Sequence, residues 1–145
     1  MRASLAAILF WVSAAALAAD AGEIKLVHGR AHLERGGERL ALRVGMPVRE
    51  ADRVVTGADG TVGITFADNS LLSIGPNSDF AIERYVFDST THVGEFDSRL
   101  SKGSLAGVSG KIVKQSPEAM RVHTPSAIMG VRGTDFVVQV GDAKR

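Results

Sequence analysis

The sequence contains no cysteine, and its one tryptophan, Trp11, lies in the apolar segment at the N-terminus. Without cysteine the chain has neither a disulfide framework nor a cysteine for lipid attachment. Without a tryptophan beyond that segment it has no broad aromatic platform on which a base or a sugar could stack. The fold must therefore be held together by its hydrophobic core alone.

No apolar run is long enough to span a bilayer. The longest, Leu5–Ala19, covers 15 residues, whereas a spanning helix needs about 20. Arg2 gives the segment a positive start, and small residues offer cleavage after Ala18 or Ala19. Residues 1–19 are therefore predicted to be a cleavable signal peptide, with an uncleaved membrane anchor as the alternative. Residues 20–145 are then expected to form one domain, periplasmic or secreted and not membrane-spanning after cleavage.

Neither sign of charge dominates the chain. It has 17 lysines and arginines against 16 acidic residues, and removal of Arg2 with the signal peptide leaves 16 of each. A neutral exported domain has no electrostatic basis for holding nucleic acid. Nucleic acid is therefore excluded as a partner.

Short alternating runs separated by glycine-containing turns dominate the chain, and no window shows a sustained helical period. In the clearest run, Val62, Ile64 and Phe66 alternate with smaller or polar residues, as in a strand with one buried side. Turn signals recur about every 8–12 residues. The sequence predicts an all-β fold of many short strands in a compact sandwich or roll, with a short β-solenoid as a further option. Open strand edges in such a domain make a homo-oligomer one of its expected states.

Two expectations concern the middle of the chain. In residues 79–87, alternation predicts that Phe80 and Ile82 face one side and Tyr85 the other. Residues 95–100 and 105–108 are predicted to be separate strands. The second of these is expected to pair with residues 112–114 in a hairpin around Ser109-Gly110.

The C-terminal part predicts two strands joined by an unusual connector. Met120, Val122 and Thr124 alternate up to Pro125, and Phe136, Val138 and Val140 alternate again further on. The connector, Ala127–Asp135, is apolar but contains two glycines. It is predicted to be a buried or half-buried turn.

Candidate sites for metals and catalysis do not withstand scrutiny. His28 and His32 share one side of a predicted strand, but four residues on a strand span about 13 Å, too far for one ion. Asp68-Asn69-Ser70 has the oxygen-rich look of a calcium loop but lacks further acids and a closing glutamate. Its composition favours turn chemistry instead, with Asp68 bonding nearby backbone. No metal, cofactor or catalytic residue is predicted.

Three stretches of the sequence resemble the FecR domain, and together they cover Glu23 to Val140. TPSAIMGVRGTDFVVQV resembles the closing signature of that family. DRVVTGADGTVGITFADNSLLSIGPNSDF is similar to its entry segment, and KGSLAGVSGKI stands where the family has a middle hairpin. The resemblance implies an all-β unit with solenoid-like coiling. The residues that carry it are Asp68, Ser70, Gly75 and Pro76 in the turns, and Gly130, Arg132, Gly133, Thr134, Asp135 and Phe136 in the closing signature.

Arg132 is the single cation of the closing signature, and two roles are open to it. It could be a structural arginine whose guanidinium bonds turn carbonyls or Asp135. It could also be an arginine that docks a partner. The signature is therefore expected to be mainly structural, with docking as the second interpretation.

The resemblance implies a regulatory or binding role rather than an enzyme. Typical FecR proteins carry a cytoplasmic anti-sigma segment and a membrane helix before this domain, and respond to an outer-membrane iron–siderophore transporter. Here the domain follows the signal peptide directly, so a direct anti-sigma role is not expected. The leading hypothesis is an exported, non-catalytic module of a Gram-negative cell that binds a protein or envelope component. The alternatives are a regulatory component of an iron–siderophore signalling relay and, last, an envelope hydrolase.

Overall fold

The computed structural model describes residues 19–141, and the signal peptide predicted for residues 1–19 lies outside this range except for Ala19. The described chain forms many short strands and one short helix. In order these are β1 (Asp20–His28), β2 (Ala31–Arg35), β3 (Glu38–Ala41), β4 (Pro47–Arg49), β5 (Arg53–Thr56), β6 (Thr61–Phe66), β7 (Leu71–Ile74), β8 (Asp79–Phe87), β9 (Gly94–Val108), α1 (Lys111–Gln115), β10 (Met120–His123), β11 (Ile128–Gly130) and β12 (Asp135–Val140).

Two sheets share strand β9 and curl around a common core as a half-barrel. Sheet A has the order β4–β1–β6–β7–β9–β12, and sheet B has the order β3–β2–β5–β8–β9–β10–β11. The first half of β9 pairs with β8 and β10 in sheet B, and its second half pairs with β7 and β12 in sheet A. The all-β prediction is confirmed.

Strand β9 is one continuous strand of 15 residues, so the prediction of two strands and a hairpin at Ser109-Gly110 was wrong. The strand bends from sheet B to sheet A at Gly103, whose φ is +93°. A Cβ at this position would overlap the side chain of Ser78. The bend therefore requires glycine. Because the local alternation of side chains is interrupted at this bend, the sequence predicted two strands where there is one.

Helix α1 follows β9 directly and replaces the strand predicted for residues 112–114. It is only five residues long, and it buries Ile112 and Val113 over the core. The chain then returns to sheet B, where β10 pairs parallel with β9, Met120 opposite Phe96. This is the one parallel strand pair within residues 19–141, and all the other pairs there are antiparallel.

Alternating apolar residues from both sheets fill the core, and three aromatic rings lie at its centre. The ring centroids of Phe66 and Phe96 are 4.6 Å apart, and Tyr85 lies 5.0 Å from Phe96 and 5.5 Å from Phe66. Tyr85 thus faces the core, against the prediction. A shift of register between Ile82 and Arg84 inserts an extra residue, which turns the second half of β8 over.

The connector between the last two predicted strands contains a third strand, so its prediction as a buried turn was wrong. Strand β11 pairs antiparallel with β10 and is exposed along its length. Only Val131, just after it, reaches the core. The two flanking strands, β10 and β12, lie where the alternation predicted them.

Candidate functional site

The Asp-x-Ser turn between β6 and β7 is a buried hydrogen-bonded cluster. Asp68 is fully buried, and its carboxylate accepts from the Ser70 hydroxyl at 2.7 Å, the Tyr85 hydroxyl at 3.0 Å, the Ser70 amide at 3.2 Å and the Ile112 amide at 3.3 Å. The Ser70 hydroxyl in turn accepts from the Gly110 amide at 3.0 Å. Asp68 thus bonds the nearby Ser70 amide, as the turn interpretation predicts. The bonds from the Gly110 and Ile112 amides tie the β6–β7 turn to the start of α1.

The phenol of Tyr85 has a raised pKa in this cluster. Burial raises the pKa of its phenol well above 10.0, and the negative charge of Asp68 raises it further. The phenol also accepts a hydrogen bond from the Asp68 amide at 3.0 Å. Tyr85 thus stays protonated as a structural donor between the two sheets.

The Gly75-Pro76 turn is likewise fixed by buried hydroxyls. The Thr56 hydroxyl donates to the Gly75 carbonyl at 2.7 Å and accepts from the Ser78 amide at 2.9 Å. The Ser78 hydroxyl donates to the Pro76 carbonyl and accepts from the Ser104 amide at 3.0 Å. These bonds join β5, β7 and β9 at the corner where β9 bends.

The residues of the closing signature lie along one path and do not converge on a pocket. Gly130 ends β11, Asp135 and Phe136 begin β12, and Arg132, Gly133 and Thr134 lie in the four-residue connection 131–134 between the strands. The Gly133 carbonyl accepts from the Ser109 hydroxyl at 2.5 Å, and the Thr134 carbonyl accepts from the Ser109 amide at 2.7 Å. The backbone of the signature thus anchors it to the end of β9.

Arg132 is the exposed member of the signature. Its side chain is 77% exposed, and its guanidinium lies 3.4 Å from the equally exposed carboxylate of Glu118. The structure pairs it with neither Asp135 nor a turn carbonyl. An ion pair this exposed contributes little to folding, so Arg132 is available for contact with another molecule.

The outer face of sheet B carries a ladder of ion pairs. The ladder includes a pairing of the Arg121 guanidinium with Asp97 and Glu95, each at 2.9 Å, and the hydrogen bond that Arg121 donates to Asp97 raises the pKa of Arg121. The other pairs are Arg53 with Glu34 and Asp79, Arg84 with Glu95, and Arg99 with Glu83. The acids and bases of this face thus neutralise one another.

The outer face of sheet A, between β6 and β12, has almost no charge. Its outward residues are Thr61, Gly63, Thr65, Leu71, Ser73, Ser104, Ala106, Val108, Asp135, Val137 and Gln139. We call this set the uncharged face. Leu71, Val108 and Val137 line a shallow depression of about 530 Å³ on it, and Val137 is 71% exposed.

Sequence reasoning did not find the uncharged face, although part of its signal was present. Leu71, Val108 and Val137 each occupy the outward parity of their strands, where a solvated face would carry polar residues. The pairing of β7, β9 and β12 brings them together across the sheet. That pairing is not local, so no single window shows the surface.

Among residues 19–141, no three metal-ligating side chains come together. Of the histidines, His32 bonds a carboxylate, Glu34, at 3.1 Å, and none bonds a hydroxyl. No helix in this part of the chain has the length and apolar character that crossing a membrane requires.

A comparison with known families decides the family. The sequence model described as FecR protein matches residues 52–145, more than half of the chain. This chain belongs to the FecR family. The match begins one residue before β5, so β1–β4 lie outside it although they pair within the same two sheets. The family is regulatory rather than enzymatic in general.

Other comparisons give less. No curated protein matches this FecR-family chain. Among solved structures, one titled "Cell surface anchoring domain" is similar, with 29% sequence identity and a TM-score of 0.41. The alignment covers 42% of this chain and 82% of that chain.

Proposed function

We propose that this FecR-family chain is an exported, non-catalytic module that binds a protein partner in the bacterial cell envelope. The family match supports a regulatory or binding role. The uncharged face of sheet A is the docking surface that we assign to it.

The contrast between the two outer faces carries the proposal. On sheet B, a partner would have to displace ion pairs such as Arg121–Asp97, with a desolvation cost for each charge. On sheet A, contact removes exposed apolar groups such as Leu71 and Val137 from water, which favours binding. Contiguous exposed apolar patches on small proteins commonly mark interaction sites. The uncharged face is therefore the surface best suited to a protein partner.

Affinity capture from envelope extract tests the proposal with two matched variants. Leu71 on the uncharged face and Val86 on sheet B are strand residues with nearly equal exposure, 48% and 49%. We expect Leu71→Lys to lose the partner because it places a charge in the depression. Val86→Lys should keep the partner. Equal retention by both variants, or repeated capture of nothing by the tagged full chain, would count against the proposal.

Arg132→Ala adds a second arm to this experiment. Because the Arg132 side chain is exposed, the variant should keep its fold, which circular dichroism can verify. Loss of the partner would extend the docking surface to the loop between β11 and β12. Retention would confine the docking surface to sheet A.

A second candidate function follows from the family alone. As a FecR-family member, the chain could be a regulatory component of an iron–siderophore signalling relay whose anti-sigma segment is on another chain. Deletion of the chain would then lower sigma-dependent transcription under iron limitation. Unchanged transcription would rule out this candidate function, and it would not count against the proposal that the chain binds an envelope protein.

A further inference from the structure

We propose that β12 is a self-association strand, which pairs antiparallel with β12 of a second copy of this chain about a two-fold axis at Val137. This inference goes beyond the proposed function, since it uses the open backbone edge of sheet A rather than its outer face.

Strand β12 is the unprotected edge among the four sheet edges of residues 19–141. Sheets in natural proteins end in short, charged, proline-containing or bulged strands, which prevents pairing with other chains. Edge strands β4 and β11 have three residues each, and β3 carries Glu38 and Arg39 within four. Strand β12 has six residues, DFVVQV, with no lysine, proline or register shift. Its free edge can therefore pair with a further strand.

The hydrogen-bond parity of β12 shows which groups point to the open edge. The Ser109 amide donates to the Thr134 carbonyl at 2.7 Å, so Thr134 points its backbone groups to β9. In an antiparallel ladder this direction alternates along the strand. Phe136, Val138 and Val140 thus bond β9, whereas Asp135, Val137 and Gln139 present their amides and carbonyls to the open side.

A second copy of β12 fits this edge in one register without any conflict of charge. With Val137 opposite Val137 of the second copy, Asp135 lies opposite Gln139, and Phe136 opposite Val138. Residues with free backbone groups then face one another, and about six backbone hydrogen bonds form. Asp135 is the only charge of the strand, and it meets an amide that can donate to it. Such a self-complementary pair is the isologous interface that a two-fold axis requires.

The space beside β12 is open to a second strand. Near its end, Gln139 and Val140 border a depression of about 480 Å³ that also touches Met129 of β11. Met129 shares the inward parity of Val122, its partner on β10, yet it remains 36% exposed. Sheet B thus extends one strand further than sheet A at this corner. A strand beside β12 would occupy the missing position.

Cysteine crosslinking tests the register directly, because the chain has no cysteine of its own. Opposite residues that exchange backbone bonds have Cα atoms about 5.5 Å apart, within the range of a disulfide. Under mild oxidation, Val137→Cys of the full chain should therefore form a covalent dimer. Gln139→Cys alone should not, because its two copies would lie about 13 Å apart along the strand. A mixture of Gln139→Cys and Asp135→Cys should crosslink to each other.

The association itself is measured by size-exclusion chromatography with light scattering. A single strand pair is a small interface, so we expect a dimer that dissociates on dilution. Val137→Lys should be monomeric at concentrations where the parent chain is dimeric, because it sets two lysines opposite each other. Val86→Lys, at an exposed position on sheet B, should remain dimeric.

Three outcomes would overturn the inference. The parent chain could be monomeric at every accessible concentration. Val137→Cys and Gln139→Cys could crosslink equally, which would indicate random collision. The dimer could persist in Val137→Lys, which would place the self-association elsewhere than the β12 edge. Should Val137→Lys fail to fold, the mixed crosslink of the two flanking cysteines still decides the register.

Discussion

The buried carboxylate of Asp68 offers the sharpest test of how this fold is held together. Asp68→Asn keeps the size of the side chain but replaces one acceptor oxygen with an NH₂ donor. In one orientation the new NH₂ faces the Ile112 amide, and in the other it faces the Ser70 amide. Either way, one buried backbone N–H loses its acceptor.

The magnitude follows from two contributions. A hydrogen bond to a charged group contributes about 1.5–3 kcal/mol, and a buried donor left without a partner costs about 1–3 kcal/mol. We therefore expect Asp68→Asn to lower the free energy of unfolding by roughly 3–5 kcal/mol. This is a large share of the roughly 5–15 kcal/mol that a domain typically has.

Urea denaturation of the full chain at neutral pH, followed by circular dichroism, measures this loss. Asp88→Asn is the matched control, because Asp88 also accepts from two backbone amides, those of Thr90 and Thr91, but does so in an exposed loop. Its denaturation midpoint should hardly move. In a double-mutant cycle, Ser70→Ala should add less to Asp68→Asn than it costs alone, since Asp68→Asn already weakens the 2.7 Å bond that Ser70→Ala removes.

One result would refute this reasoning. If Asp68→Asn and Asp88→Asn had the same midpoint as the parent chain, the carboxylate of Asp68 could not be the acceptor that joins the β6–β7 turn to α1. The other bonds of the cluster, such as the one that the Ser70 hydroxyl accepts from the Gly110 amide, would then join the turn to α1.

Three further predictions concern single residues. Tyr85 is the only tyrosine, so absorbance at 295 nm should show no ionisation near pH 10 in the folded chain. Because burial raises the pKa of Tyr85 in the folded state, the unfolded state loses this proton at a lower pH than the folded state. The free energy of unfolding should therefore fall as the pH rises above about 10. A normal titration without unfolding would contradict this. Gly133→Val should destabilise the domain by about 1 kcal/mol or more, since Gly133 has φ +92°. In the same thermal melt Gly130→Val should cost less, because Gly130 has no positive φ. Equal melting temperatures would contradict the backbone argument. Gly103→Ala should cost about 1–3 kcal/mol more than Gly36→Ala. Both glycines have positive φ, but only the Cβ added at Gly103 would clash with another residue, Ser78. Urea midpoints measure both losses, and equal losses would rule out the clash as a cause.

The closing stretch shows how much of the candidate site was readable in advance. Alternation located β10 and β12, and the glycines of the closing signature indicated a sharp connection, which Gly133 provides with its positive φ. The roles predicted for Arg132 and its neighbours remain predictions. The uncharged face and the open edge of β12 were not foreseen, because both depend on which strands are neighbours.

The sequence by itself determined the all-β class, the run of alternating strands and the hydroxyl-rich turns at Asp68 and Gly75. The strands follow from side-chain parity, and each turn has local bonds of its own, such as Ser70 with Asp68 and Ser78 with Pro76. Tertiary structure alone decided that β9 runs unbroken through Gly103, that a bulge turns Tyr85 inward, and that residues 111–115 are helical. The physical reason is that pairing across distant strands, and the space left around the core, override what each short window favours.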